Sequence, residues 1–174
     1  YGEISTGDSH NADEKFDGID IDSAGGVSVN NYGVISGGRH GITTDLGATL
    51  VNYGEITGRN GSGFGSDGDG TVINHGTITG AYSGLQANGD GDGVDIDNIA
   101  RIENYGTIQG VGAGGVDKGG FANGSEGIAL GGGYILNAKN ALISGADSAI
   151  LVDDGSGNSG LAATTLENFG TIQG

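Results

Sequence analysis

The chain has 174 residues, 41 of them glycine and none proline, cysteine, methionine or tryptophan, and 22 acidic against six basic side chains give a formal charge of −16. That charge excludes nucleic acid and anionic membrane surfaces as partners, because both need clustered Lys or Arg, and the missing cysteines exclude disulfides and thiolate metal sites. No apolar run approaches the ~20 residues of a spanning helix and no secretory signal is present, so no membrane insertion is expected of this segment, which is read as a fragment of a longer chain because it lacks an initiating methionine.

From the N-terminus onward, one motif returns seven times. The copies are YGEISTG (1–7), NNYGVISGG (30–38), VNYGEITG (51–58), INHGTITG (73–80), ENYGTIQG (103–110), ILNAKNALISG (135–145) and ENFGTIQG (167–174). The sixth fits when two residues are inserted after Ala138. Its isoleucines share one phase: Ile4, Ile35, Ile56, Ile78, Ile108, Ile143 and Ile172. The shortest steps between them, 21 and 22 residues, define the minimal repeat. Two more apolar ladders recur, Val29, Leu50, Val72, Ile102, Ile135 and Leu166, and Ile19, Ile42, Phe64, Leu85, Ile128 and Ile150.

Each repeat thus offers three short alternating stretches bounded by Gly, Asn and Asp, which predicts three strands and no helix. One repeat cannot bury its own apolar side; stacking repeats at the ~4.8 Å strand spacing does. The expected fold is all-β, a right-handed three-sided parallel β-helix (β-solenoid) of about seven coils, forming a single segment over 1–174. The longer steps predict corner insertions at 8–17, 88–98, 111–125 and 153–163, where length is tolerated because loop closure costs grow slowly.

Asn31, Asn52, Asn74, Asn104 and Asn168 share a phase two residues before a glycine and predict a turn ladder, each amide bonding its own backbone or the next Asn. Tyr1, Tyr32, Tyr53, His75, Tyr105 and Phe169 follow them. A ring stack covering the turn is the plainer expectation, and a stripe holding sugar faces is the alternative. Asn123-Gly-Ser125 fits a glycosylation acceptor pattern.

The strongest local chemistry is acidic. ANGDGDGVDIDN (87–98) sets Asn88, Asp90, Asp92, Asp95 and Asp97 on one insertion, and Asn88-x-Asp90-x-Asp92-Gly93 matches the first half of a calcium loop. The closing Glu is missing, since its position holds Ile99. Solvated turns are therefore the plainer expectation for these residues, and calcium is the one cofactor offered as the alternative. Poorer clusters are Asp17, Asp20 and Asp22, Asp67 and Asp69, and Asp153 with Asp154.

Catalysis is not expected. The basic residues Lys15, Arg39, Arg59, Arg101, Lys118 and Lys139 are scattered along the chain and are not expected to share a face with the Asp clusters, no Ser is paired with a positioned His, and Asp153-Asp154 is the one adjacent aspartate pair.

NYGEITG, NHGTITG and ENYGTIQG, each followed by a Gly-Ile or Gly-Leu stretch, resemble the passenger domains of Gram-negative autotransporters and related large surface adhesins, over essentially the whole chain. The resemblance implies an extracellular or bacterial cell-surface location, with a translocator barrel elsewhere in the parent chain. No serine motif of the autotransporter proteases is present.

The expected function is a non-catalytic structural and adhesive segment that contacts host surfaces, glycans or sister molecules, with self-association end to end. The alternative is a carbohydrate-binding or polysaccharide-degrading module. A groove with paired carboxylates beside Arg or Lys points to the alternative; a smooth surface with acidic loops points to the first.

Overall fold

The computed structural model describes residues 2–11, 14–116, 119–153 and 160–174. Tyr1, Lys118 and Asp154, and parts of the expected insertions 8–17, 111–125 and 153–163, lie outside the described residues.

The described residues form strands and connections without helix. The first six strands are β1 (Glu3–Ser5), β2 (Ile19–Ile21), β3 (Val27–Asn31), β4 (Val34–Gly37), β5 (Ile42–Thr44) and β6 (Ala48–Asn52). Then come β7 (Glu55–Gly58), β8 (Asn60–Gly61), β9 (Phe64–Ser66), β10 (Gly70–Asn74), β11 (Thr77–Tyr82) and β12 (Val94–Asn104). The last are β13 (Thr107–Gly110), β14 (Glu126–Asn137), β15 (Leu142–Ser144), β16 (Ser148–Val152), β17 (Thr164–Asn168) and β18 (Thr171–Gln173).

Two sheets collect them. One runs β1-β4-β7-β11-β13-β15-β18 in parallel, with β8 attached antiparallel to β11. Its register places Ile4, Ile35, Ile56, Ile78, Ile108, Ile143 and Ile172 opposite one another in turn. The other runs β2-β5-β9-β12-β10-β6-β3, with β14 on β12 and β16 and β17 on β14, again all parallel.

The three-sided, right-handed β-helix expected from the sequence is therefore corrected to two parallel sheets, one of them curled. The expectation assigned a separate face to each of the three apolar ladders. In β12 and β14, however, the two ladders outside the isoleucine row lie on one continuous strand. The corner expected between them is absorbed as a register irregularity between Ile96 and Ile99. Opposite it, Gly132 and Gly133 take φ of 147° and 125°, a bend that only glycine enters without strain.

The third ladder also differs in one member. Val94, not Leu85, pairs with Phe64 and with Ile128; Leu85 is exposed. Residues 94–98 accordingly belong to β12, and the long connection of that repeat occupies 83–93.

The ladders meet in one core. Ile35, Ile42, Leu50, Ile56, Phe64, Val72, Ile78, Val94, Ile102, Ile108, Ile128, Ile135 and Ile143 are all buried. Each contributes about 1.5–3 kcal/mol relative to exposure. Between the sheets runs the asparagine row. Asn31, Asn52, Asn74 and Asn104 each donate Nδ2 to the Oδ1 of the next, at 2.8 to 3.0 Å, the last to Asn137, which passes the chain to Asn168. Asn137 enters the row because the two extra residues of its repeat are taken up in a turn, closed by Ala141 N–H on Ala138 O, in which Asn140 has φ of 69°.

Candidate functional site

A cavity of about 690 Å³ opens on the outer face of the curled sheet. Its floor follows from strand alternation. In the segments whose Ile19, Ile42, Phe64, Val94, Ile128 and Ile150 point inward, the next residue points outward. Those next residues are Asp20, Thr43, Gly65, Asp95, Ala129 and Leu151, in register across six strands. Gly65 and Ala129 keep the middle of the floor low.

Two rows flank this floor. On one side stand Asp22, Asp45, Asp67, Asp97 and Asp153, each directly following an inward residue of a paired strand, with Gly131 filling the gap. Backbone bonds carry the register past the strand ends, from Asp45 N–H to Ile21 O, Asp67 N–H to Thr44 O and Asp153 N–H to Leu130 O. On the other side stand His40, Ser62, Asp92 and Glu126, held in order as the N–H of Gly41, Gly63 and Gly93 donates to the carbonyl of Ser62, Asp92 and Glu126 at 3.0, 2.8 and 2.9 Å.

Among the described residues the cavity collects ten carboxylates against two permanent cations, Lys15 and Arg39. Arg39 is committed: its Nε and a terminal nitrogen donate to the two carboxylate oxygens of Asp17 at 3.1 and 3.2 Å. Asp17 also accepts the His40 N–H at 2.9 Å. Carboxylates one strand apart, ~4.8 Å, repel by about 0.9 kcal/mol even at the dielectric of water, and more in a recess.

The titrations express that crowding. Burial pushes the Asp92 carboxyl well above its ordinary range, and Asp95 adds to the rise. Asp95 is likewise well raised by burial, then by Asp90 and Asp97. Asp97 is raised by burial and by Asp67, Asp20 by burial and by Asp22, and Glu126 by burial. Burial, with the charge of Arg39, pushes the His40 imidazole down.

Two uncharged groups complete the floor's edge. His40 Nδ1 accepts the Ser62 N–H at 2.9 Å, so the neutral ring carries its proton on Nε2. The Ser62 hydroxyl is buried and has no hydrogen-bond partner; it lies 3.9 Å from where a Cβ on Gly65 would stand, on the cavity side of the sheet.

Loops form the wall. Gly89 and Gly114 exchange N–H bonds at 2.9 Å, and Asn123 Nδ2 donates to Gly114 O at 2.9 Å. This joins the connection 83–93 to the insertion 111–125, and brings Asp90 and Asn123 to the cavity.

Of the residues expected to hold calcium, Asp90, Asp92, Asp95 and Asp97 line the cavity. Asn88 does not; its Oδ1 accepts the Val116 N–H at 2.9 Å and ties the two loops together. Among the described residues no group of three or more His, Asp or Glu is arranged to hold a metal ion. Lys15 and Arg39, scattered in sequence, share a face with the acidic clusters, contrary to expectation.

Along the sequence Asp22, Asp67 and Asp153 fall in separate clusters and Asp45 in none, so nothing local joins them into a row. The signal was present: each stands three residues after a member of the third ladder, Ile19, Ile42, Phe64 and Ile150. With Leu85 in the ladder in place of Val94, Asp97 falls outside the same pattern. At the opposite turn, Tyr32, Tyr53, His75 and Tyr105 stack face to face at 5.1, 4.7 and 4.8 Å. Their faces cover one another, leaving edges outward, so this row offers no interior face for a sugar.

Comparison of the chain with protein-family models, with curated proteins and with solved structures finds no match in any of the three.

Proposed function

We propose that this chain is a bacterial cell-surface or secreted binding segment, adhesive and not catalytic, which takes a glycan along the acidic groove. The observation that carries the reading is the registered pair of polar rows on either side of a low floor, running across successive repeats. A linear polymer laid across those repeats meets an aspartate of one row at every step but that of Gly131. Carboxylates, the Ser62 and Thr43 hydroxyls, Asn123 and the His40 Nε2–H supply acceptors and donors suited to a chain of hydroxyl-bearing rings. Surface location is supported by the resemblance of the Asn-aromatic-Gly motifs to autotransporter passengers.

A floor-filling variant tests this. A Cβ on Gly65 meets nothing nearer than 3.9 Å, so Gly65→Tyr fills the groove while leaving the backbone alone. Calorimetric titration with oligosaccharide hexamers is expected to show binding to the native chain and none to Gly65→Tyr at unchanged melting temperature. Equal binding by both places the ligand elsewhere.

One observation favours polysaccharide cleavage as a second reading. Asp92 and Glu126 are adjacent, Asp92 Oδ1 accepts the Glu126 N–H at 2.7 Å, and both carboxyls are pushed up, as a general acid requires. New reducing ends from a hexamer, lost in Glu126→Gln, would decide for it.

A further inference from the structure

We infer that the centre of the groove, over Gly65, is a subsite for a primary ammonium group, so that the glycan it takes is an amino sugar polymer with unsubstituted amines. The inference rests on the glycan reading above and narrows it to one chemical class.

Three features converge there. The first is charge at fixed intervals. Asp45, Asp67 and Asp97 follow one another at the strand spacing of ~4.8 Å, along paired strands. An extended chain of 1,4-linked pyranose rings repeats on that same scale, and because successive β-linked rings are turned over, every second ammonium faces the aspartate row. A uronate chain meets repulsion at every step, and a neutral chain leaves the row's mutual repulsion in place.

The second is the Ser62 hydroxyl, 1% exposed as a residue and without a partner, beside the floor glycine. A buried hydroxyl left unpaired costs about 1–3 kcal/mol, and nothing in the fold recovers that cost. It accepts from an N–H or donates to a sugar oxygen that enters the groove.

The third is the state of the neighbouring imidazole. With Nδ1 taken by the Ser62 N–H, His40 presents a neutral ring and no second positive charge to the cavity. The one arginine there is held by Asp17. An entering ammonium therefore meets the carboxylates with Lys15 as the single other cation among the described residues of the lining. A flexible polyamine matches the charge but brings no ring hydroxyls and loses more conformational freedom on binding.

The experiment is calorimetric titration of the folded chain near neutral pH with four probes: a glucosamine hexamer, its fully N-acetylated counterpart, a galacturonate hexamer and spermine. The glucosamine hexamer is expected to bind about tenfold or more tighter than the acetylated one, with affinity falling as salt rises. Ser62→Ala is expected to weaken it about fivefold, and Asp67→Asn about tenfold, with melting temperatures no lower than native. Equal binding of the acetylated and free hexamers overturns the ammonium subsite while the glycan reading stands. Binding of spermine without either hexamer overturns the glycan reading. Ser62→Ala and Asp67→Asn variants that both bind the glucosamine hexamer like the native chain overturn the ammonium subsite while the glycan reading stands, and failure of every probe overturns both.

Discussion

The backbone N–H of Ser62 donates to Nδ1 of His40 at 2.9 Å. One bond thus decides two features of the groove. It fixes the imidazole tautomer, and it seats the Ser62 hydroxyl, free of partners, beside Gly65. The two residues come from successive repeats, 22 positions apart, so the site exists only where repeats are stacked. Removing the ring in His40→Ala leaves the Ser62 N–H in need of a new acceptor and lowers stability by about 1–3 kcal/mol; a denaturant melt checks this, and an unchanged midpoint contradicts it.

Stability should fall as pH rises through the groove's titrations. Asp20, Asp92, Asp95, Asp97 and Glu126 all have folded values raised above the unfolded ones. The folded state therefore holds more protons in that window, and the stabilisation is complete below the unfolded carboxyl values and lost as pH climbs through the raised ones. Each extra proton is worth about 1.4 kcal/mol per pH unit. His40 runs the other way, its lowered value contributing stability that is lost as pH falls through it. Five carboxyls outweigh one imidazole, so melting temperature is expected to rise from neutral toward mildly acidic pH. Asp92→Asn and Asp95→Asn should each flatten that slope. A slope of the opposite sign, or one unchanged in both variants, contradicts the crowding described.

The asparagine row can be cut at its middle. Asn74 is fully buried and its Nδ2 donates to Asn104 Oδ1, Gly76 O and Thr107 O, while its Oδ1 accepts from Asn52 and Gly76 N–H. Asn74→Ala orphans several of these at once and should cost about 3 kcal/mol or more. Asn168→Ala, at the exposed end of the row, should cost under about 1 kcal/mol. Chemical denaturation of the pair checks the contrast.

Two glycines test the packing in opposite senses. A Cβ on Gly54 would stand 2.0 Å from Gly33 O, so Gly54→Ala forces neighbouring repeats apart and should destabilise by about 2–4 kcal/mol. Gly65→Ala, with ordinary contacts, should leave the melting temperature within a degree or two. In the isoleucine row, Ile56→Asp should unfold the stack locally, since it places a charge among fully buried aliphatics; an unaltered melt would show that Ile56 is not inside.

Calcium should act here as a counter-ion. Millimolar calcium or magnesium is expected to raise the melting temperature by the same few degrees, by relieving repulsion between carboxylates. A rise with calcium alone, abolished by chelator, would reveal a cage built for it.

The seven isoleucines and the asparagine turns were legible in the sequence because a single residue type recurs at a single phase. What lay beyond the reading was how strands share sheets. Whether two ladders are separate faces or halves of one curled sheet depends on a bend near Ile96–Ile99 opposite Gly131–Gly133, and no local pattern announces it. The groove was only half legible for the same reason. Asp90 to Asp97 are neighbours in sequence, whereas Asp22, Asp45, Asp67 and Asp153 become neighbours only through pairing. Lys15 and Arg39 join them from turns whose direction the sequence leaves open.

Carboxyl footprinting asks whether the ligand lies along the aspartate row. The chain is labelled with a carbodiimide and a small amine, with and without the glucosamine hexamer, and each site is read by mass spectrometry. The ligand is expected to protect Asp45, Asp67 and Asp97 together, while Glu3 and Glu167, outside the groove, label as before. Protection spread evenly over all these carboxylates, or confined to those outside the groove, would contradict it.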